Sequence, residues 1–264
     1  MPIRRSNQKS VASRFSAAAD SYDRHAGIQS RVASRLTGLL ANRPVIKSIL
    51  EIGCGTGLLT AKLAKKFPLA AICATDISKG MIVKSNARFK TSKRIKWITG
   101  DFRDLSGLGK FNLVTSSSSL HWITPLKTTF SKVSSLLGKD GTFAFSIMVK
   151  GTLAELHSAR KKIAPAKTVK RQLLLGREVI NLLGSSGLAV VESKRASYRA
   201  VFRSASCFLK SLHEQGVTSG PFASGRELLN RCELERLVSY YDEHYKCSGG
   251  VFATYQVLYV VAKK

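Results

Sequence analysis

The chain has 264 residues and a net charge of +27 with neutral histidines, because 43 Lys and Arg stand against 16 Asp and Glu. Its hydrophobic content of 44% is typical of a globular chain and excludes a disordered one. No apolar run approaches the roughly 18 residues that a membrane-spanning helix needs, so we do not expect this chain to be an integral membrane protein. The charge predicts an anionic partner: nucleic acid, an anionic membrane or an acidic protein.

Five cysteines are scattered along the chain, without a CxxC pair or a Cys/His cluster at metal-ligand spacing. The sequence therefore predicts neither a disulfide scaffold nor a metal site. The N-terminus lacks acidic residues, as transit peptides do, but its apolar residues recur at helical spacing, which favours a folded segment. A reducing compartment, the cytoplasm, is expected.

The first predicted elements are two short helices between Lys9 and Leu40, with a break near Asp23–Gly27. Strands and helices then alternate. The predicted strands are Ser48–Ile52, Ala70–Asp76, Ile95–Thr99, Phe111–Ser116 and Thr142–Val149, and the predicted helices are Leu58–Phe67, Lys79–Phe89 and Pro125–Leu137. This alternation indicates parallel βαβ units with right-handed crossovers, and so an open, doubly wound α/β sheet.

The last part of the chain has a different pattern. Gly151–Gln172 is polar and basic, and the composition of Val217–Ser224 predicts a loop. Earlier in the chain, Lys139–Gly141 predicts a turn before the fifth strand. The remaining predicted elements are helices at Leu173–Leu183, Ser204–Gln215 and Gly225–Tyr241, and strands at Leu188–Tyr198 and Phe252–Ala262.

A glycine-rich loop joins the first predicted strand to its helix. It reads acid-x-Gly-x-Gly-x-Gly, with Glu51, Gly53, Gly55 and Gly57 at the fixed positions. Glycines let the backbone turn sharply and approach a ligand that faces the next helix N-terminus. The spacing differs from the Gly-x-Gly-x-x-Gly of dinucleotide sites and suits a ligand with an amino-acid moiety.

Two further acids follow the next strands. Asp76 ends the second strand, where a carboxylate can accept hydrogen bonds from both hydroxyls of a ribose. Asp101 follows the third strand and can bind the exocyclic amino group of adenine, while Ile77, Met81 and Phe102 can enclose the ring. These positions lie at the carboxyl ends of strands, where open α/β sheets bind ligands.

Residues 48–149, with this constellation, resemble the class I S-adenosylmethionine-dependent methyltransferases. The resemblance implies a Rossmann-like, mostly parallel seven-stranded sheet, S-adenosylmethionine as cofactor without a metal, and a cofactor contact at Ser117. We expect one integrated domain: N-terminal helices over the cofactor at 1–44, the cofactor-binding core at 45–150, and substrate lid helices with the last strands at 151–264.

The segment Ser116–Trp122 helps to indicate which kind of molecule accepts the methyl group. Enzymes that methylate amino groups of bases commonly carry an Asn/Asp-Pro-Pro-aromatic loop here, and this chain has no Pro-Pro pair. It also has no Cys pair for carbon-5 pyrimidine chemistry and no recognisable RNA-binding module. An RNA methyltransferase with a phosphate-binding basic tail stays an alternative, as do another small-carboxylate O-methyltransferase and a non-catalytic assembly factor.

Segments outside the core resemble a narrower family, the malonyl-[acyl-carrier-protein] O-methyltransferases of biotin synthesis. Phe15–Gln29 is similar to their opening Phe…Ala-Ala…Tyr…His-Ala…Leu-Gln, and Gly151–His157 to their Gly-Ser-Leu-x-Glu-Leu. Leu209–Gly216 resembles Arg-Ser-Leu…Gly, and Thr254–Tyr255 resembles a Thr-Tyr on the last strand. At Leu120–Trp122 the family has an apolar-Gln-Trp, and this chain has histidine at the middle position.

This resemblance implies methyl transfer to the free carboxylate of a malonyl thioester on acyl carrier protein. We expect the protein to be a monomer. The carboxylate is already ionised at neutral pH, so no general base is expected. Lys210, in place of the family's arginine, is expected to pair with it beside His213, and Trp122 to line the acyl pocket. The alternative for Lys210 is a solvated surface lysine. Tyr22 and His25 are expected to fold over the methionine end of the cofactor.

The basic residues of the last part of the chain are expected to form a docking face for the acidic carrier protein, because long-range attraction raises encounter rates. They are Arg160–Lys162, Lys167, Lys170–Arg171, Arg177, Lys194–Arg195, Arg199 and Arg203.

Overall fold

The computed structural model describes residues 2–40, 46–89, 92–167, 173–217 and 228–264. One mixed sheet runs through them in the order β3-β2-β1-β4-β5-β8-β6, with the short β7 paired to β8. The strands are β1 (Ser48–Ile52), β2 (Ala71–Asp76), β3 (Ile95–Thr99), β4 (Phe111–Ser117), β5 (Leu137–Met148), β6 (Ala189–Phe202), β7 (Lys246–Cys247) and β8 (Gly250–Lys263).

Strands β1 to β5 are parallel, and β8 lies antiparallel between β5 and β6. The predicted α/β architecture with a mostly parallel sheet is therefore confirmed. The helices are α1 (Pro2–Ala18), α2 (Tyr22–His25), α3 (Gly27–Gly38), α4 (Leu58–Lys66), α5 (Lys79–Arg88), α6 (Leu126–Leu136), α7 (Ala154–Ile163), α8 (Gly176–Gly184), α9 (Ala205–Glu214) and α10 (Arg231–His244).

Helices cover both faces of the sheet, as a parallel sheet requires. Successive strand residues point to opposite faces, so the neighbours Ile49 and Leu50 of β1 belong to two separate apolar clusters. The cluster around Ile49 includes α3, α4, α9 and α10, and the cluster around Leu50 includes α6 and α8. The sheet is thus the middle layer of three. The carboxyl ends of its parallel strands remain available to bind a ligand.

The two longest strands extend beyond that end of the sheet. Strand β5 stops where Met148 pairs with Val257 of β8, whereas β6 stays paired with β8 as far as Val251. The first half of β8 and the last half of β6 therefore form a two-stranded ribbon past the parallel strands. The loop before α7 is attached to it, because the Leu153 amide donates to the carbonyl of Thr254 at 2.7 Å.

The N-terminal helices differ from the sequence prediction. The chain breaks at Ala26, within the predicted range, but Asp23 itself lies inside α2 and a further break comes earlier, at residues 19–21. The first break is held by Ser21, whose hydroxyl donates to the carbonyl of Glu214 in α9 at 2.7 Å. The chain is therefore turned at Ser21 by a contact with a helix that is distant in sequence.

Three other elements correct the prediction. Helix α7 lies in a segment for which no helix was predicted, because polar and basic residues dominate it and only Ala159 is fully buried. The predicted turn at residues 139–141 lies inside β5, where a shift of the β4–β5 register and a left-handed Asp140 absorb it. Helix α10 begins at Arg231, and most of the predicted loop Val217–Ser224 lies outside the described residues.

None of the helices in the described residues has both the length and the apolar character that crossing a bilayer requires.

Candidate functional site

A cavity of about 450 Å³ lies at the carboxyl ends of the parallel strands, within the size range of small-molecule sites. Its walls come from every part of the chain. Ile52 and Met148 end β1 and β5, Phe15 belongs to α1, Leu212 to α9 and Tyr255 to the ribbon. The N-terminal helices and the last part of the chain therefore complete a pocket whose floor is the predicted core.

The glycine loop forms part of the cavity wall. Gly53 has a φ of +68°, and a Cβ there would lie 1.8 Å from the Ser119 hydroxyl. Gly55, with a φ of +54°, lines the cavity, and a Cβ at Gly55 would meet no atom within 4 Å. The loop thus needs glycine at Gly53 for its own packing and presents Gly55 to open space. Gly57 precedes α4 and lies outside the cavity wall.

Glu51 is buried in the cavity wall directly before the loop. Its carboxyl accepts a hydrogen bond from the Thr60 hydroxyl at 2.7 Å, and burial raises the pKa of Glu51 to about 8. Desolvation penalises the charged form, whereas a cation beside the carboxyl would favour it. Glu51 can therefore be neutral without a ligand and ionised beside a cationic one.

Asp76 connects the end of β2 to the glycine loop. One carboxyl oxygen accepts from the Gly55 amide and the other from the Ser78 amide, each at 2.8 Å. Burial raises the pKa of Asp76 against the effect of these two hydrogen bonds. Each oxygen keeps a further lone pair, so the predicted contact with two hydroxyls is compatible with this arrangement.

Asp101 is held by Arg103, which was not among the predicted site residues. The Arg103 guanidinium donates to both oxygens of Asp101, at 2.9 Å from Nε and 2.6 Å from Nη2, and also to the carbonyl of Thr124. All of these residues line the cavity. An amino group that binds to Asp101 would therefore share the carboxylate with Arg103. An arginine two residues after the acid was the signal available in the sequence.

The predicted apolar residues lie where the sequence places them. Ile77, Met81 and Phe102 all line the cavity, and Met81 and Phe102 are buried. Ser117 lines it at the end of β4, where its hydroxyl accepts from Ser146 at 3.1 Å.

At the cavity, two of the predicted aromatic residues contact the same third aromatic ring. Tyr22 and Trp122 both line the cavity, and Phe15 of α1 packs edge-on against each ring, with centroids 6.4 and 5.2 Å away respectively. Burial raises the pKa of Tyr22, and Asp76 and Asp23 act in the same direction. Its phenol therefore stays protonated over the physiological pH range.

Besides Gly57, three predicted residues are not brought to the cavity. Lys210 and His213 lie on the exposed side of α9, because that helix buries the opposite side, which carries Phe208 and Leu212. The Lys210 side chain is 75% exposed and lies 3.9 Å from Glu214. His25 forms an ion pair with the same Glu214 and so fastens α2 to α9. The structure thus places the predicted carboxylate partners on the outer surface.

Other polar groups line the cavity instead. His121 is buried there, and burial lowers its pKa to about 3, so the imidazole is neutral at physiological pH. Gln29 donates to the side-chain oxygen of Gln215 at 2.8 Å, and its own oxygen is buried without a hydrogen-bond partner among the described residues. The Ser118 hydroxyl is also buried, and no residue that the structure describes bonds to it. Gln29 and His121 fall in segments that the family resemblance singled out, which was the available signal.

Comparisons with known proteins agree with this geometry. A family model described as a methyltransferase domain matches residues 49–141. A malonyl-[acyl-carrier protein] O-methyltransferase of Geobacter sulfurreducens is 30% identical, over 98% of this chain and 99% of the relative. The chain belongs to the malonyl-[acyl-carrier protein] O-methyltransferase family. A second member, from Priestia megaterium, is 39% identical over 58% of this chain and 56% of its own length.

Solved structures support the same fold for this family member. Phosphoethanolamine N-methyltransferase 2 of Haemonchus contortus, in complex with S-adenosyl-L-methionine, has a TM-score of 0.58 at 13% identity, over 94% of this chain and 57% of that one. Geranyl diphosphate C-methyltransferase of Streptomyces coelicolor, with S-adenosyl-L-homocysteine, has a TM-score of 0.53 at 15% identity, over 88% and 74%. These structures show the Rossmann-like fold, and the family membership shown above makes the chain an S-adenosylmethionine-dependent methyltransferase.

The cavity fits such a cofactor. Gly55 leaves open space in the middle of the cavity, and Glu51 and Asp76 are acids near that space. The buried, unpartnered oxygen of Gln29 offers an acceptor for a donor group of a ligand. In the described part of the chain, no cluster of three His, Cys, Asp or Glu side chains has the arrangement of a metal site.

Proposed function

We propose that this enzyme transfers a methyl group from S-adenosylmethionine to the free carboxylate of a malonyl thioester on acyl carrier protein, an early reaction of biotin synthesis. The observation that supports the proposal most strongly is the similarity to the Geobacter sulfurreducens relative, which extends from end to end of both chains. A match confined to the cofactor core would favour no particular methyl acceptor, because that core is common to many methyltransferases.

The cofactor would lie across the glycine loop. Asp76 would accept its ribose hydroxyls, and Asp101 its adenine amino group, with Ile77, Met81 and Phe102 around the ring. Glu51, Gly53, Gly55 and Ser117 would hold the remainder. When bound, S-adenosylmethionine supplies a methyl group on a positively charged sulfur, which leaves as a neutral thioether.

The chain's own contribution is to position the acceptor and to exclude water. A carboxylate such as that of a malonyl group ordinarily has a pKa of about 4 and is ionised at neutral pH, so no side chain needs to remove a proton. Phe15, Trp122 and Leu212 give the cavity an apolar wall near the polar loop. Correct alignment in such a site can supply roughly 7–11 kcal/mol of the barrier reduction in favourable cases.

The three sections of the chain would have separate tasks. Residues 1–44 would cover the cofactor, since Phe15 and Tyr22 line the cavity from above the loop. Residues 45–150 would bind it, and residues 151–264 would form the substrate side, which includes Leu153, Leu212 and Tyr255.

An acidic carrier protein would dock on the basic surface next to the cavity. Helix α7 begins one residue after Leu153 of the cavity wall, and its last turn carries the exposed Lys161 and Lys162. Arg160 is half-buried, and its guanidinium donates to the carbonyl of Lys167. Lys161 and Lys162 are therefore the residues of this turn best placed to attract a partner.

The test is to offer isotopically labelled cofactor to malonyl-acyl carrier protein, malonyl-coenzyme A and bulk RNA side by side. We expect base-labile label on the malonyl thioester of the carrier protein and none on RNA. Label on RNA at modest salt, with none on either thioester, would favour the RNA methyltransferase and overturn the proposal. Transfer to neither class in a protein that binds the cofactor would favour the assembly-factor alternative.

A further inference from the structure

The substrate side of the cavity lacks a free basic side chain. Among the described residues that line the cavity, Arg103 is the one lysine or arginine, and it is bonded to both oxygens of Asp101. Asp101 follows β3, and four strands separate β3 from β8, which carries Tyr255. An anionic acceptor that entered between α9 and the ribbon would therefore meet neutral groups.

Tyr255 is the phenol on that side. It is only 5% exposed and lines the cavity, and its hydroxyl makes no hydrogen bond to any described residue. A buried phenol usually finds a partner, and water or a ligand is the remaining source here. Burial, with a smaller effect from Glu155, raises the pKa of Tyr255, so its hydroxyl stays protonated and can donate.

The backbone around Tyr255 is fixed on both sides. Glu155 accepts from the amide and the hydroxyl of Thr254, and the Leu153 amide donates to the Thr254 carbonyl. Tyr255 itself is paired with Tyr198 across the ribbon. The backbone position of Tyr255 is therefore set before a ligand binds, and Glu155 is a positioning residue for it.

We propose that the Tyr255 hydroxyl donates a hydrogen bond to the substrate carboxylate, which the described part of the cavity wall meets with neutral donors and not with a free lysine or arginine. This assignment rests on the proposed function. The carboxylate oxygen loses its negative charge as its bond to the methyl group forms, so a tight ion pair would stabilise the starting anion more than the transition state. A neutral donor also orients the anion, but it stabilises the starting anion over the transition state by a smaller amount.

The experiment compares Tyr255→Phe with wild type in two assays. The first measures kcat/KM with a malonyl thioester, for which we expect a loss of about 10- to 100-fold. The second measures equilibrium affinities of the S-adenosylhomocysteine-loaded protein for the malonyl thioester and for its methyl ester. Tyr255→Phe is expected to lose affinity for the acid by about tenfold while its affinity for the neutral ester changes less than twofold.

Tyr259→Phe is the matched control. Tyr259 lies on the same face of β8, but its hydroxyl is bonded to that of Tyr198 at 2.5 Å and does not line the cavity. It is expected to keep the wild-type preference for acid over ester. An unchanged affinity of Tyr255→Phe for S-adenosylhomocysteine, within about twofold, would show that its pocket is folded.

Each other outcome is decisive. Equal acid and ester effects in Tyr255→Phe overturn the assignment, as does a loss of acid preference in Arg103→Gln or Lys210→Gln while Tyr255→Phe keeps it. An active wild type with an equally active Tyr255→Phe overturns the assignment alone. A wild type that neither binds nor methylates any malonyl thioester overturns the proposed function and the assignment together.

Discussion

The Thr56 hydroxyl donates a hydrogen bond to the carboxylate of Asp23 at 2.5 Å. The second oxygen of Asp23 forms an ion pair with Arg88 at the end of α5. Asp23 belongs to α2 and Thr56 to the glycine loop, so one acidic side chain joins the N-terminal helices to the loop and to the helix after β2. The cover over the cavity is therefore attached directly to the part of the wall that would hold the cofactor.

Asp23→Ala is expected to weaken cofactor binding. It removes a hydrogen bond and an ion pair that fix the cover, and a charged hydrogen bond contributes about 1.5–3 kcal/mol. Part of this energy should appear in binding, so we expect the Kd for S-adenosylhomocysteine to rise roughly threefold to thirtyfold, measured by calorimetric titration. Asp20→Ala is the control, because Asp20 bonds Lys84 on the surface with 91% of its side chain exposed. Equal changes in both variants would contradict the prediction.

Gly53→Ala and Gly55→Ala are expected to fail in different ways. A Cβ at Gly53 overlaps Ser119, so this variant should lose both thermal stability and cofactor affinity. A Cβ at Gly55 meets open cavity, so this variant should fold with only the cost of a left-handed alanine, about 1–2 kcal/mol, and yet lose most cofactor affinity. Thermal unfolding and titration measure the two effects.

Gly107→Ala supplies the reference for backbone cost. Gly107 has a φ of +68°, no atom within 4 Å of its Cβ position and no place in the cavity wall. It should match the stability loss of Gly55→Ala and bind cofactor normally. Normal binding in Gly55→Ala would show that the space beside this glycine is not used by the ligand.

Glu51 gives the ligand-free protein a defined pH dependence. Its pKa is about 8 in the folded state and near its ordinary value of 4.5 in the unfolded state, so between these values the folded protein binds more protons. Stability due to this group therefore falls as pH rises from about 5 to about 8 and levels off above, by an amount on the order of a few kcal/mol. Glu51→Gln should remove this fall, measured by urea unfolding at pH 5.5 and pH 8. Parallel pH curves for the two proteins would count against it.

Reversal of two charges on α7 should impair the protein substrate selectively. Lys161→Glu with Lys162→Glu removes attraction for an acidic carrier protein, and the effect should weaken with added salt. We expect kcat/KM to fall at least tenfold with malonyl-acyl carrier protein and less than twofold with a small malonyl thioester. Lys65→Glu with Lys139→Glu makes the same change of charge at exposed positions near the other end of the sheet. Similar losses in both double variants would argue against docking at α7.

The core could be predicted because local pattern and global fold agree there. Strands β1 and β3 have the predicted bounds, since short apolar runs between turn signals have few alternatives in an alternating chain. The acid-x-Gly-x-Gly-x-Gly loop also carries its own conformational requirement, which the positive φ angles of Gly53 and Gly55 express. Glu51 and Asp76 then follow at strand ends, where topology brings them to the same cavity.

The substrate side could not be predicted in the same way. Lys210 was selected by similarity of a short segment, but its direction depends on which side of α9 packs inward, and Phe208 and Leu212 decide that. Tyr255 reaches the cavity only because β8 continues past the end of β5, and that register is a tertiary property. A periodic sequence pattern indicates which residues share one face of a helix or strand. It does not indicate which other part of the protein that face contacts.

The sheet ends on β6, a strand of 14 residues with little cover along its length. Such an edge invites another strand to add to it, and the exposed Val191 and Val201 increase that tendency. Lys194, Arg195 and Arg199 lie along the same strand, and two copies that approached edge to edge would repel each other through them. We therefore expect the positive charge along β6 to oppose edge-to-edge association, and mutations that neutralise it to increase aggregation before they affect catalysis.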